Sequence, residues 1–470
     1  MKKSEEFLSR WLPYVTAAWV CLMLLSLKFR FLDCLAVTTW HGRLGVDFFA
    51  VPRSFINLVH HQSIYATRQC GWGPYAAWFP YHPALSVLLG SWLSLFKPWT
   101  AYSVFAGISI AVFFYCGLLA RQFISGGVLG KLAYFLPLCS IPAYLTIWNG
   151  QVHILVALAF CLVLADLLEP PGGLRWKLVA GVLLSLFSKP LILTALPVLF
   201  ALKRCRRPLV WCLAVYAAVS LAFLAVPFLN PQPVGFDNLV DVLLHPAKLF
   251  HAEVYKGITL VVYRPEFVRD NAIHWLNMKT HAALVQTEHF EYFSLPSFLG
   301  NIIGGQPPAF ISKIPLLIIA ALSAAAYFIK REEEKILPVL FTVFMGALAF
   351  YLSYDTVYEY HYCVILAALP FLLAVYEREP APALKWCCAA GALLVAPTAY
   401  FWIRNPAFGH HTVQIAGLPD IYVAAVVSGN PYGYFLTMMR WSRVMPALAM
   451  FLLLAWLSSS LICRSFRREN

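Results

Sequence analysis

Apolar segments of about twenty residues recur along nearly the whole chain, and they leave little freedom of fold. A hydrocarbon core about 30 Å thick takes roughly 20 apolar residues in a helix. Twelve segments answer to that description or come near it: 11–28, 100–120, 132–148, 152–168, 176–188, 190–202, 209–229, 311–329, 336–353, 360–376, 384–402 and 444–463. The chain is 61% hydrophobic and 12% charged, with a mean hydropathy of +0.70, so a soluble arrangement of several domains does not accommodate it. Lipid offers no water to backbone groups, so spans are helices or closed barrels. Long runs without polar–apolar alternation select helices. The expected fold class is an all-α polytopic membrane protein with about 12 transmembrane helices, one integral membrane domain over residues 1–470. Segments 176–188 and 190–202 are short for two straight crossings, so a bent or re-entrant pair is expected, with Lys189-Pro190 at its outer turn.

A net charge of +13 raises the question of nucleic acid. The basic residues form no single stripe, however; they cluster at the ends of apolar runs, as orientation by a membrane requires. With the N-terminus in the cytoplasm, the loops 121–131, 169–177, 203–208, 330–335 and 377–385 and the tail 464–470 fall on the same side. Together these pieces hold 19 of the 35 Lys and Arg in 58 residues. Both termini are therefore expected in the cytoplasm of a multi-pass protein of the cell (inner) membrane. No nucleic-acid partner follows from the charge. Run 81–97 would spoil this asymmetry as a full crossing, so it is expected to dip into or lie along the outer surface, with a full span as the alternative. Run 11–28 lacks a small-x-small cleavage site before Lys28-Phe29-Arg30 and is expected to stay as an anchor.

Three long polar stretches, 29–99, 230–310 and 403–443, lie on the outer side, whereas the cytoplasmic loops are around ten residues long. Function is therefore expected to face outward, and these loops to build the active-site face. Asp47 stands in the first of them, in Gly45-Val46-Asp47-Phe48-Phe49. Other polar groups are predicted on the same face: Asn149, Gln151 and His153 where span 132–148 emerges, Lys189 at its turn, and Asp355, Glu359 and His361 between two late spans. Ionisable groups at membrane depth are costly and tend to mark a pathway, a pair or a site. Bland roles compete for each of them: Asp47 as a solvated loop carboxylate, Lys189 reaching the headgroups, Asn149 and Gln151 capping a helix, Glu359 and His361 as a structural pair. The aromatics from Trp72 to Tyr81 read equally as an interfacial belt or as a sugar-stacking wall. Most of the twelve cysteines fall inside apolar runs; Cys34 and Cys70 share the first outer loop and could pair in an oxidising compartment. No Cys/His spacing for zinc is present, no cofactor is indicated, and a divalent metal on a phosphate remains open because the outer loops offer no multi-carboxylate cluster.

The order of short motifs resembles a known family. It runs from Asp47-Phe48 through Phe79-x-Tyr81-x-Pro83 to Asn149-Gly150-Gln151, then Ala180-Gly181 leading to Lys189-Pro190, and ends at Glu359-x-His361. Over residues 40 to 375 this is similar to the polyprenyl-phosphate-mannose-dependent mannosyltransferase-like family, glycosyltransferase family 87 of the GT-C superfamily. The resemblance implies a GT-C fold with outer-face juxtamembrane helices in the first loop. It also implies an inverting glycosyltransferase that takes a sugar, mannose or another hexose, from a polyprenyl-phosphate carrier to a lipid-linked or envelope glycan acceptor. Asp47 is then the general base on the acceptor hydroxyl, within about 2.6–3.2 Å of it. Phosphate departure calls for cations and donors, a role assigned to Lys189 and His361, with Arg264 and Arg269 as further candidates. Asn149, Gln151, His153, Glu359, Tyr81 and His82 are the candidate sugar- or acceptor-binding residues. The chain departs from the family in Tyr360, where the late turn commonly has a histidine, and in loop 230–310, which carries no matching motif. A lipid or sugar transporter or flippase is the alternative of a different class; it calls for charged or broken helices at the bilayer midplane. A non-catalytic assembly subunit is a third reading.

Overall fold

A computed structural model describes residues 2–32, 44–60, 71–74, 81–170, 175–224, 293–303, 310–354, 357–396 and 433–469, the strands within 252–261, and positions 64, 79, 172–173 and 307–308. Helix dominates. Among the described residues, seven helices are long and apolar enough to cross a membrane. They are α1 (Lys2–Phe29), α4 (Pro98–Arg121), the consecutive pair α5 (Gly127–Leu138) and α6 (Ile141–Asn149), α10 (Lys203–Leu224), α13 (Glu332–Ser353), the Glu359–Arg378 segment ending in α14 (Cys363–Arg378), and α16 (Gly433–Glu469). Among the described residues, one short antiparallel hairpin, β1 (Ala252–Tyr255) with β2 (Ile258–Val261), is the exception to an all-helical reading; Ala252 pairs with Val261.

Five of the twelve expected segments form shorter elements than these seven. The helix α7 (His153–Leu168) has 16 residues and α8 (Trp176–Ser188) has 13, which at 1.5 Å per residue rise only about 20–24 Å. Segment 190–202 forms a 3₁₀ turn at Leu191–Thr194 and the one-turn α9 (Leu196–Leu199), so the bent pair foreseen around Lys189-Pro190 is present. Helices α12 (Ile314–Tyr327) and α15 (Pro382–Leu393) are also below spanning length. Run 81–97 yields α3 (Pro83–Leu93), too short to cross and interrupted by a π turn. It lies on α2 (Ala50–Val59), where Ser54 and Ser86 hydroxyls meet at 2.8 Å, so the first loop does carry two short helices. Last among the described helices of this end is α11 (Leu295–Ile303), which packs on α16.

Burial sorts the helices. The Glu359–Arg378 segment and α13 are almost wholly enclosed, whereas α1 and α10 leave most of their surface on the outside of the bundle. Helices apolar on every side suit either place. The enclosed ones pack on neighbours, α14 against α7 and α13 against α16.

Contacts also sort the two ends. At one end, Lys131 donates to Ser9, Arg204 donates to the Leu167 carbonyl at 2.8 Å, and the Lys203 N–H donates to Glu332 at 3.1 Å. Arg468 lies 3.7 Å from Glu334, and the Ser125 N–H donates to Glu377 at 2.8 Å. Thus the N-terminal segment, the tail and the five short basic loops bond to one another, as segments gathered on one side must. The polar candidates lie at the opposite end.

Candidate functional site

Two buried helices meet in a turn at Asn149-Gly150-Gln151. Helix α6 begins with Ser140, whose hydroxyl accepts from the Ala143 N–H, and Pro142 fits its first turn, where no N–H is needed. It ends with Gly150 in the left-handed region at φ 72°. A side chain at this position would be strained twice. Its Cβ would run into the Cβ of Phe48 and lie 3.1 Å from the Phe48 Cα. Glycine lets the backbone of 45–49 lie directly on the turn: the Gly45 N–H donates to the Trp148 carbonyl at 2.8 Å, and the Asp47 N–H to the Asn149 carbonyl at 3.2 Å. From below, the Tyr102 hydroxyl lies 3.0 and 3.1 Å from the carbonyls of Ile147 and Trp148, and the Phe48 ring packs on Tyr102 and Phe105.

Asp47 is thereby aimed at the amides it follows in space. Asn149 Nδ2 donates to Asp47 Oδ2 at 2.7 Å, and Gln151 Nε2 donates to the same oxygen. These side chains do not cap the next helix, one of the roles open at the sequence level; Val152 holds that position without a side-chain cap. Among the described residues no hydrogen bond reaches Oδ1. Asn149 and Gln151 are buried, while Asp47 is sunk among protein atoms with one edge still accessible.

Lys189 arrives from the broken helix. The residue before a proline is steered out of the helical region, and Lys189 is extended at φ −135°, ψ 121°. Its carbonyl accepts from the Ser185 hydroxyl at 2.8 Å and the Leu191 N–H at 2.7 Å, which fixes the break. Its Nζ lies 5.7 Å from the centre of the Tyr81 ring, near enough for a cation–π attraction. Like Asp47, it keeps an accessible edge. Burial pushes the Asp47 carboxyl up to about 6, against the opposing pull of Lys189 and the two amides. Burial also pushes the Lys189 ammonium down, to about 8, opposed by the Asp47 charge. The Tyr81 hydroxyl is held well above its usual range, by burial first and then by Asp47. The three groups thus feel one another.

Behind Gln151 stands His153, with Nδ1 3.3 Å from Gln151 Oε1, and its ring is stacked 4.0 Å from His361. His361 Nδ1 accepts from the Tyr358 N–H at 3.2 Å, and its carbonyl accepts from the Tyr351 hydroxyl at 2.7 Å. Asp47, Asn149, Gln151, His153, His361, Lys189 and Tyr81 are therefore brought together. Two candidates are not. His82 caps α3, accepting from the Ala84 N–H at 3.1 Å, and its Nε2 meets the Ser220 hydroxyl at 3.0 Å among Phe187, Tyr216 and Phe223. Glu359, fully buried, accepts from Arg443 Nε at 3.1 Å and also from Nη2. Arg264, Arg269, Asp355 and the Cys34–Cys70 pairing lie outside the described residues.

Arg440 and Arg443 were not anticipated, because 403–443 was read as loop and α16 begins within it at Gly433. Their spacing of three, directly ahead of a span, is the signal that could have placed them on one helix face. Arg443 also donates to the carbonyls of Leu394 and Ala396, at 3.0 and 2.6 Å, and Arg440 to that of Ser297 at 3.1 Å. Among the described residues no group of three or more His, Cys, Asp or Glu could hold a metal ion. No family model, curated protein or solved structure matches the chain.

Proposed function

We propose that the protein is an inverting glycosyltransferase of the GT-C type, in the cell membrane, that moves a sugar from a polyprenyl-phosphate carrier to a lipid-linked or envelope glycan. Its site end faces the periplasm or cell exterior, and the basic end with both termini faces the cytoplasm. The observation that carries the reading is Asp47: an accessible carboxylate with Oδ2 held by two amides, Oδ1 uncommitted, and a lysine within electrostatic reach. In the reaction the acceptor oxygen attacks the anomeric carbon as its proton passes to Asp47 Oδ1. The bond from that carbon to the phosphate oxygen breaks on the opposite face, releasing polyprenyl phosphate and leaving the new glycoside with inverted configuration at that carbon. A carboxyl near 6 is ionised at neutral pH and still basic enough to take that proton. Lys189 supplies positive charge toward the phosphate as it leaves. His361 has its Nδ1 engaged by the Tyr358 N–H and is buried behind Gln151 and His153, so its part in the site is support rather than contact with the donor.

The broken segment at Lys189-Pro190 favours a second reading, since interrupted helices also build transporter sites. Proteoliposomes containing the purified protein and a polyprenyl-phosphate sugar separate the two. Transfer predicts free polyprenyl phosphate and a glycoside of inverted configuration. Movement of the intact lipid between leaflets with no glycoside formed would replace transfer by transport.

A further inference from the structure

The chemistry of Asp47 fixes the protons of its neighbours. A carboxylate only accepts, so the Gln151 amide must turn its NH₂ toward Asp47 and its Oε1 toward His153. An amide oxygen also only accepts, so His153 must carry its proton on Nδ1. The stacked ring obeys a separate constraint: the Tyr358 N–H occupies His361 Nδ1, which keeps its lone pair, and the His361 proton goes to Nε2. The two rings, 4.0 Å apart and inclined by 36°, therefore hold their protons on opposite nitrogens. His153 is fully buried against Tyr360 and His361 and cannot swing away from Gln151 without opening this packing.

We infer that His153 is a positioning residue: by donating to Gln151 Oε1 it locks the amide, and the locked amide holds Asp47 Oδ2 so that Oδ1 alone faces the acceptor. The inference rests on the transferase reading for the words base and acceptor, but the lock itself does not. Without the His153 donor, Gln151 Oε1 loses its partner and the amide is oriented by Asp47 alone, so its bond to Oδ2 is looser though still made. Asn149 shares Oδ2, and Lys189 and Tyr81 are the ionisable groups beside Asp47.

The lock is read without turnover. Infrared spectra of the purified protein, recorded as a function of pH, show the C=O stretch of protonated carboxyl groups, and subtraction of Asp47→Asn assigns the Asp47 band. In Gln151→Leu the midpoint of that band moves up by about one pH unit, the worth of one hydrogen bond to a charged group, and in His153→Leu it moves up by a fraction of that, because the amide still donates but is no longer held. His153→Asn, which keeps a donor near the Nδ1 position, returns it to the wild-type value. The double variant rises no further than Gln151→Leu, because His153 acts on Asp47 only through the amide. A midpoint unmoved in His153→Leu, or shifts that add in the double variant, would overturn the proposal. Should His153→Leu fail to fold, Gln151→Leu against His153→Asn carries the same test. The band is readable whether or not the wild type transfers sugar, so failure of the lock and failure of the transferase reading are distinct results.

Discussion

Two carboxylates at the same end of the bundle are treated in opposite ways. Glu359 is fully buried, and Arg443, which holds it from two nitrogens, is itself held by two backbone carbonyls. Asp47 has one oxygen engaged by neutral amides, the other free among the described residues, and an accessible edge. In the first arrangement two donors of a buried cation converge on one oxygen, Oε1, of a carboxylate with no accessible surface. In the second, two neutral amides converge on one oxygen of a carboxylate that keeps an accessible edge, which suits the proton exchange proposed for it. Proximity to a turn of polar residues does not distinguish the two carboxylates; the partners do.

Breaking the closed pair should have the largest effect on stability. Glu359→Ala leaves the Arg443 guanidinium buried without its counter-charge and is expected to cost about 3–5 kcal/mol, read as a lower thermal midpoint in detergent. Gly150→Ala attacks the other region through its backbone. The left-handed φ and the contact with Phe48 together should cost about 1–3 kcal/mol and reduce transfer, because Phe48 carries Asp47. Gly173→Ala is the control: its φ of 73° is as positive, but nothing lies within 4 Å of the added carbon, so the cost should stay near the low end of that range. The smallest effect is the most diagnostic. Burial raises Asp47 to about 6, so between about 4 and 6 the folded chain holds a proton that the unfolded chain has released. Stability from this group therefore declines as pH rises through that window, while transfer, which needs the ionised base, rises through the same window. Asp47→Asn should flatten that part of the thermal midpoint against pH; an unchanged slope would remove Asp47 as its source.

What could be read in the sequence was local. Lys189-Pro190 announces a helix break through the steric rule for residues before proline, and the break is there. Asn149-Gly150-Gln151 announces a turn through its glycine, though not that both amides would leave the following helix for Asp47 102 and 104 positions away in the chain. The number of spans was less legible: α7 and α8 have only 16 and 13 residues, yet each runs between the basic end and the site end of the bundle. His82 drew notice as part of an aromatic motif, yet the Pro83 that follows it already marked a helix start, and its ring serves as the cap. Arg443 was illegible for another reason. A charged residue ahead of a span reads as an interfacial anchor, and only the tertiary contact with Glu359 shows it to be buried. The separation between the two carboxylates belongs to packing, which periodicity does not encode.

The most direct test sets Asp47→Asn beside Glu359→Gln in single-turnover transfer from a polyprenyl-phosphate sugar, with the thermal midpoint of each protein measured in the same preparation. Loss of a general base predicts that Asp47→Asn slows transfer by about 10²–10⁴-fold with an unchanged or higher midpoint, and that Glu359→Gln lowers the midpoint. Near-normal transfer by a folded Asp47→Asn protein would contradict the assignment of the base.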